Sequence, residues 1–337
     1  MASRRRTYRK KKKKTGAILL ATLLLLLVTG AIAGTLILML NHKTYSDLVD
    51  GKGKAAESAA EAAAEESGEA EAVPEEEEIP EEERYYFESG QMHRGDLILV
   101  NADYPYDFEA NADNDIEGIR EARIIQCAMA SEEFELSRSI MKPLSILIKD
   151  CDEAIGSYDT GISSAYRSLE YQQKVYDETL EQYGKEYADK YVATPGYSEH
   201  HTGIALDLGI YRSDGYVGTF SESNNAVWVN NNCQLYGFVR RYKEDKVSIT
   251  GISNESWHFR YVGVPHATYM NEHNLCLEEY IEYLRSRTEE VPLNVACNNG
   301  MYKIWFTTGE YIRKPEGPFT VSGNNIDGYI ITETLLS

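Results

Sequence analysis

The chain has 337 residues, with 54 Asp and Glu against 34 Lys and Arg and a formal net charge of −20, which suffices for one fair-sized domain with appendages or two small ones. The charge is sharply divided: residues 4–14, RRRTYRKKKKK, hold nine of the basic residues, no acid precedes Asp47, and from residue 41 onward 25 basic residues face 54 acidic ones. That balance excludes a duplex nucleic-acid partner for most of the chain, because phosphate binding needs a positive surface.

In chain order, residues 1–16 read as a basic tail. Residues 17–40, AILLATLLLLLVTGAIAGTLILML, form an uninterrupted apolar run of 24. A helix of ~20 residues crosses ~30 Å of hydrocarbon, so the run is long enough to span a bilayer. A cleavable signal is the competing reading, since Ala31-Ile32-Ala33-Gly34 imitates a small-residue cleavage site. The apolar TLILML continues beyond that site, which favours a retained transmembrane anchor, with the basic tail cytoplasmic and everything after residue 41 outside. Residues 41–84 carry fifteen acids against four basic residues, end in VPEEEEIPEEER, and cannot build a core. They read as an acidic, low-complexity stalk.

Globular sequence begins near Tyr85. GDLILVN (95–101) reads as a first strand. The spacing of Leu136, Ile140, Leu144, Leu147, Ile148 and Cys151 predicts a helix around 134–155, with Pro143 marking a break or a first turn. ISSAYRS predicts a short strand entering a helix near Leu169 that stops at Gly184. GIALDLG is the next strand, a helix over 223–236 stops at Gly237, and ESWHFRYVG is a strand followed by helices at 264–274 and 277–287. Residues 289–337, with YKIWF, FTVSG and GYIITE, predict a small β-rich appendage. Helices and strands mix without regular βα alternation, so the expected class is α+β: a small mixed or antiparallel sheet with flanking helices, preceded by one transmembrane helix. The five cysteines contain no CxxC pair and read as small buried hydrophobes, one disulfide remaining open.

The stretch SEHHTGIALD (198–207) poses the chemical question. Asp207 lies in an apolar strand, with Ala205 on its own face and Leu206 and Leu208 on the other, and a buried carboxylate needs a partner that offsets its desolvation. A metal would serve, with His200 brought near by a bend at Gly203. Adjacent residues on an extended chain diverge, so His201 is expected in a polar supporting role only. A catalytic zinc takes three protein ligands, and among the remaining histidines His258, embedded in ESWHFRYVG, is the best third candidate; His266 and His273 are placed on a polar C-terminal helix. Glu255 stands three residues before His258, a spacing that puts strand residues on opposite faces, so it is expected in the turn before the strand. From there it could take a proton from a water on the metal. Arg167, directly after a short strand, is the candidate for stabilising an oxyanion.

Together these residues resemble the zinc D-alanyl-D-alanine carboxypeptidase family of the VanY type. Its pattern Ser-x-His-x-x-Gly-x-Ala-x-Asp stands here as Ser198, His200, Gly203, Ala205 and Asp207. Its Glu-x-Trp-His stands as Glu255, Trp257 and His258, and its Ser-x-Tyr-Arg-Ser followed by Gln as SAYRSLEYQ, giving Arg167 and Gln172. The resemblance implies a zinc peptidase domain over 85–288, and one zinc ion held by His200, Asp207 and His258. It further implies Glu255 as general base, Arg167 polarising the scissile carbonyl, and Ser198 and Gln172 holding the terminal residue of the substrate. His201 falls where the family often carries Gln. The expected function is a single-pass enzyme of the bacterial cell membrane that trims the terminal D-alanine from peptidoglycan stem peptides outside the cell. An L,D-carboxypeptidase, an endopeptidase of the same fold, or a non-catalytic wall-binding protein are the alternatives. No protein partner is inferable.

Overall fold

The computed structural model describes residues 79–215 and 217–335. The basic tail, the apolar run 17–40 and the acidic stretch as far as residue 78 lie outside them, and no helix among the described residues is long and apolar enough to cross a membrane. The elements open with β1 (Arg84–Tyr86), β2 (Ile116–Gly118), β3 (Ala128–Met129), β4 (Glu135–Ser137), α1 (Arg138–Ile155) and β5 (Thr160–Ser164). Next come α2 (Leu169–Tyr183), α3 (Lys185–Tyr191), β6 (Ala205–Tyr211), β7 (Val217–Gly218), α4 (Asn224–Asn232), β8 (Phe238–Tyr242) and β9 (Glu255–Tyr261). Two helices, α5 (Val264–Glu272) and α6 (Leu277–Leu284), precede β10 (Leu293–Cys297), β11 (Gly300–Thr307), β12 (Tyr311–Arg313), β13 (Phe319–Gly323) and β14 (Tyr329–Leu335).

The central sheet runs β3-β5-β6-β9-β8, with β7 also on β6; β3 and β5 are parallel and every other pair is antiparallel. This is the mixed sheet of an α+β fold. Its apolar face takes Ile162, Leu206, Leu208 and Phe259, against which α1 packs Ile140, Leu144, Leu147, Ile148 and Cys151. These recur at helical spacing, and full burial of each such side chain contributes roughly 1.5–3 kcal/mol. Helix α1 passes through Pro143 unbroken: the carbonyl that loses its partner belongs to Ser139, which is exposed to water. It ends at Gly156, whose φ of 75° is left-handed.

Two expectations are corrected. The GDLILVN stretch is largely buried but joins no sheet: apart from Leu99 N, which donates to the Asn324 carbonyl at 3.1 Å, and Asn101, whose N donates to that of Tyr104 at 3.0 Å, its backbone partners are side chains. Arg260 Nη2 donates to the carbonyls of Asp96 (3.1 Å) and Ile98 (3.0 Å), Asn325 Nδ2 donates to that of Leu99 (2.8 Å), and Ser322 Oγ accepts from Leu97 N (2.9 Å). His266 does not lie on a polar face: it is buried, between the Tyr280 hydroxyl at 2.8 Å and the Thr332 hydroxyl at 3.0 Å, and so ties α5 to both α6 and β14.

Within residues 293–335, four strands build another antiparallel sheet in the order β10-β11-β14-β13. Its Leu293, Val295, Ile304 and Ile330 share one core with Leu97 and Leu99, with Ala267 and Met270 of α5, and with Leu277, Tyr280, Ile281 and Leu284 of α6. β1 and β12 pair as a separate two-stranded antiparallel sheet, which ties the start of the described chain to the segment between β11 and β13. All five cysteines are free thiols, three of them buried.

Candidate functional site

Neighbouring strands β6 and β9 set Asp207 directly opposite His258. A one-turn 3₁₀ helix, Glu199–Thr202, leads into β6 and carries His200. Ser198 caps it, its Oγ accepting from His200 N at 3.3 Å, and Gly203 ends it in the left-handed region at φ 70°. A Cβ on Gly203 would lie 2.1 Å from Ile116 Cδ1, so this turn requires glycine twice over. The turn puts His200 Nε2 at 3.5 Å from Asp207 Oδ2, and His258 Nδ1 lies 3.0 Å from Asp207 Oδ1. One ligand atom from each of the three buried side chains falls within 4.8 Å of the others.

The far nitrogen of each ring is held by something else, which decides the nitrogen left for the centre. His200 Nδ1 donates to the Ala165 carbonyl at 2.7 Å, leaving Nε2; His258 Nε2 lies 3.4 Å from Glu199 Oε2, leaving Nδ1. Burial, with Arg167 nearby, lowers the His200 pKa to about 4. Burial would lower His258 as well, but Asp207 and Glu199 outweigh it and raise that imidazole to about 9. Asp207 is held well below the ordinary carboxylate range: its burial is overcome by His200 and His258.

Glu255 is not in a preceding turn; it is the first residue of β9, paired with Tyr242. The next pair is Arg240 with Phe259, so three residues of β9 stand opposite one of β8. This bulge breaks the period of two and lets Glu255 and His258 face the same cleft. Glu255 Oε2 lies 3.9 Å from His258 Nδ1, and burial, reinforced by Asp207, raises its pKa to about 8.

Arg167 faces the same point. Ser164 Oγ accepts from its Nε (3.1 Å) and Nη2 (2.8 Å), Gln172 Oε1 from Nη1 (3.1 Å), and Asp207 Oδ2 from Nη2 (3.4 Å). Gln172 is fully buried and its amide also donates to the Ala193 carbonyl at 2.7 Å, so it stands behind Arg167 and does not line the cleft. In this structure Gln172 fixes one arm of Arg167, the group that does reach the cleft. Ser198 does line the cleft. His201 turns away from the three donors: its Nδ1 donates to the Arg167 carbonyl at 2.7 Å, its Nε2 accepts from Gly196 N at 3.1 Å, and its ring meets Phe108 edge-on at 5.0 Å.

Four charged residues behind the donors were missed. Glu199 is fully buried, its Oε1 accepting from Arg241 Nε at 2.8 Å and from Arg260 Nη1 at 3.1 Å. Arg241 also donates to both oxygens of Glu278, at 2.9 and 2.6 Å. Two carboxylates thus balance two guanidinium groups, and these hold Glu199 ionised far below the ordinary range despite its burial. The signal was present: Arg241 in FVRRY and Arg260 in HFRY are charges inside apolar strands, the same anomaly that singled out Asp207.

The cleft over the donors has a volume of about 210 Å³, with Arg167, Glu255 and Ser198 beside them and Val175, Val192, Ala193, Ile252 and Trp257 forming apolar walls. The family model described as VanY, D-alanyl-D-alanine carboxypeptidase, matches residues 133–264, a span that contains every residue placed at this cleft. In sequence the chain is similar to a D-alanyl-D-alanine carboxypeptidase of Enterococcus faecium, 34% identical over 247 residues, covering 72% of this chain and 76% of that one. It is likewise similar to one of Enterococcus faecalis, 35% identical over 203 residues, covering 58% and 68%. Among solved structures it resembles the vancomycin resistance D,D-dipeptidase VanXYg, crystallised with a D-Ala-D-Ala phosphinate analogue. There the TM-score is 0.65 at 31% identity, over 75% of this chain and 98% of the other.

Proposed function

Because the chain belongs to the VanY family of D-alanyl-D-alanine carboxypeptidases, we propose that it is a zinc-dependent hydrolase removing the terminal D-alanine from peptidoglycan stem peptides. The observation that carries this reading is the convergence of His200, Asp207 and His258 with an acid, Glu255, and a fixed guanidinium, Arg167, around one cleft. The donor set suits zinc: two imidazole nitrogens, each with its other nitrogen held, and one ionised carboxylate make a three-ligand site of catalytic type. Bound there, zinc supplies a Lewis acid and lowers the pKa of water towards ~7.

The chain's own groups do the rest. Glu255, left ionised where a dication held by the three donors offsets the burial and the Asp207 charge that raise it, is placed to accept a proton from the attacking water and hand it to the leaving amine. Arg167, its fork fixed by Ser164 and Gln172, presents positive charge where the carbonyl oxygen becomes an oxyanion. Ser198 borders the seat of the terminal residue, and the apolar walls exclude water around a small side chain. A cleft of about 210 Å³ is smaller than the ~300–1,000 Å³ of drug-sized sites, which suits the end of a peptide.

The apolar run 17–40 supports a retained single-pass anchor in a bacterial cell membrane, with the basic tail cytoplasmic and the stalk holding the enzyme within reach of the wall. Its deletion is expected to move the protein from the membrane to the soluble fraction. The activity is tested by incubating the zinc-loaded full chain, in detergent, with stem peptides ending in D-Ala-D-Ala or in a single D-Ala, read by mass spectrometry. Loss of one residue from the first, abolished by chelator and by Glu255→Ala with zinc retained, is the expected result. Cleavage of the second alone would make it an L,D-carboxypeptidase. No terminal trimming of either peptide, with zinc bound, would overturn the carboxypeptidase reading in favour of an endopeptidase or a wall-binding protein.

A further inference from the structure

We propose that Glu199 is a positioning residue of the metal centre: it selects the nitrogen that His258 offers to the metal and is itself locked by Arg241 and Arg260. The inference rests on the reading of His200, Asp207 and His258 as the zinc ligands. Both guanidinium contacts fall on Oε1 of Glu199, at 2.8 and 3.1 Å, which leaves Oε2 to face His258 Nε2 at 3.4 Å. Glu199 and its two arginines are at most 1% exposed, so water cannot take over either task. A buried carboxylate accepting from Nε2–H holds the neutral ring in the tautomer whose lone pair is on Nδ1, the atom that faces Asp207. Tyr242 packs against the same ring with its centroid 4.9 Å away, restricting rotation about the ring axis without choosing a nitrogen.

The arrangement joins a turn and two strands into one chain of contacts. Glu199 precedes His200 in the same short turn, Arg241 lies on β8, and Arg260 and His258 lie on β9 two residues apart. A period of two puts His258 and Arg260 on the same face, so the strand that supplies the ligand also supplies a clamp on its orienting acid. Arg241 is in turn gripped by Glu278 of α6, and Arg260 by the carbonyls of Asp96 and Ile98.

The test compares zinc affinity, by competition with a chromophoric chelator, for the parent and Glu199→Gln. The glutamine keeps an oxygen for the arginines and turns an N–H donor towards Nε2–H. A loss of affinity of about 10–100-fold, the usual effect of removing a group that orients a ligand, is expected. A merely structural role would lower the melting temperature of the metal-free protein and leave the affinity of folded protein unchanged; affinity within about twofold of the parent overturns the proposal. Should Glu199→Gln not fold, the parent decides: in the cadmium-substituted protein with isotope-labelled histidine, metal–nitrogen coupling is expected at Nδ1 of His258 and Nε2 of His200. Coupling at Nε2 of His258 overturns the proposal. A parent that binds no zinc, or keeps it in full in His200→Ala, overturns the underlying reading instead.

Discussion

Arg167→Lys keeps the charge and removes the fork. In the structure the guanidinium is held by Ser164 at 3.1 and 2.8 Å, by Gln172 at 3.1 Å and by Asp207 at 3.4 Å, and its side chain is 14% exposed. A lysine ammonium is a single point with three rotatable donors and cannot meet Ser164 and Gln172 while still presenting an N–H to the cleft. Two consequences follow. Gln172 Oε1, in a fully buried side chain, loses its partner, at a cost of about 1–3 kcal/mol of stability. The fixed donor at the oxyanion position is also lost, and removal of one such donor lowers kcat by about 10²–10³, or ~2.7–4 kcal/mol of barrier. Zinc content is expected to stay at the parent value, because Arg167 is not among the three donors. The assay is kcat and KM on a peptide ending in D-Ala-D-Ala, with metal content and melting temperature measured on the same preparation. A kcat/KM that falls less than about threefold at full zinc occupancy would refute the assignment of Arg167 to the oxyanion.

Gln172→Leu is expected to lower kcat by about ten- to a hundredfold with little change in KM, since it frees one arm of Arg167 without touching the cleft; steady-state kinetics on zinc-loaded protein checks this. Gly203→Ala is expected to destabilise by about 1–2 kcal/mol from the left-handed backbone alone, and by more from overlap with Ile116, read as a lower denaturation midpoint. Asp96 gives a pH test. Burial raises its pKa to about 6, so the folded state binds its proton more tightly than the unfolded chain does, and its stabilising effect, complete below about 4, is lost as pH rises through 6. Asp96→Asn is therefore expected to match the parent at pH 4 and to exceed it by roughly 1–3 kcal/mol at pH 8, in urea titrations at the two pH values; equal stability at pH 8 would contradict it.

The residues at the centre were legible because their anomaly is local. A carboxylate within an apolar strand, a histidine a fixed distance away across a glycine, and Glu and His three apart around a tryptophan can each be seen in a window of ten residues. Helix α1 was legible for the same reason, since its buried residues repeat at the helical period. Where Glu255 points was not: the bulge is a mismatch between β8 and β9, and neither strand alone contains it. The buried charge network was hidden similarly, for its contacts join residues 42, 61 and 37 positions apart.

The amino-acid sequence by itself determined helix α1, the strands that carry Asp207 and His258, the apolar run that precedes the described domain, and the residue types that meet at the cleft. Side-chain period and charge are properties of neighbours along the chain, so they survive without coordinates. Only the tertiary structure set the Ala165 carbonyl against Nδ1 of His200 and Glu199 against Nε2 of His258, placed Gln172 behind Arg167, and gave Arg260, Asn325 and Ser322 as side-chain partners to GDLILVN, which joins no sheet. A hydrogen bond or an ion pair is made between groups adjacent in space, and burial, which sets its strength, comes from every element packed around it.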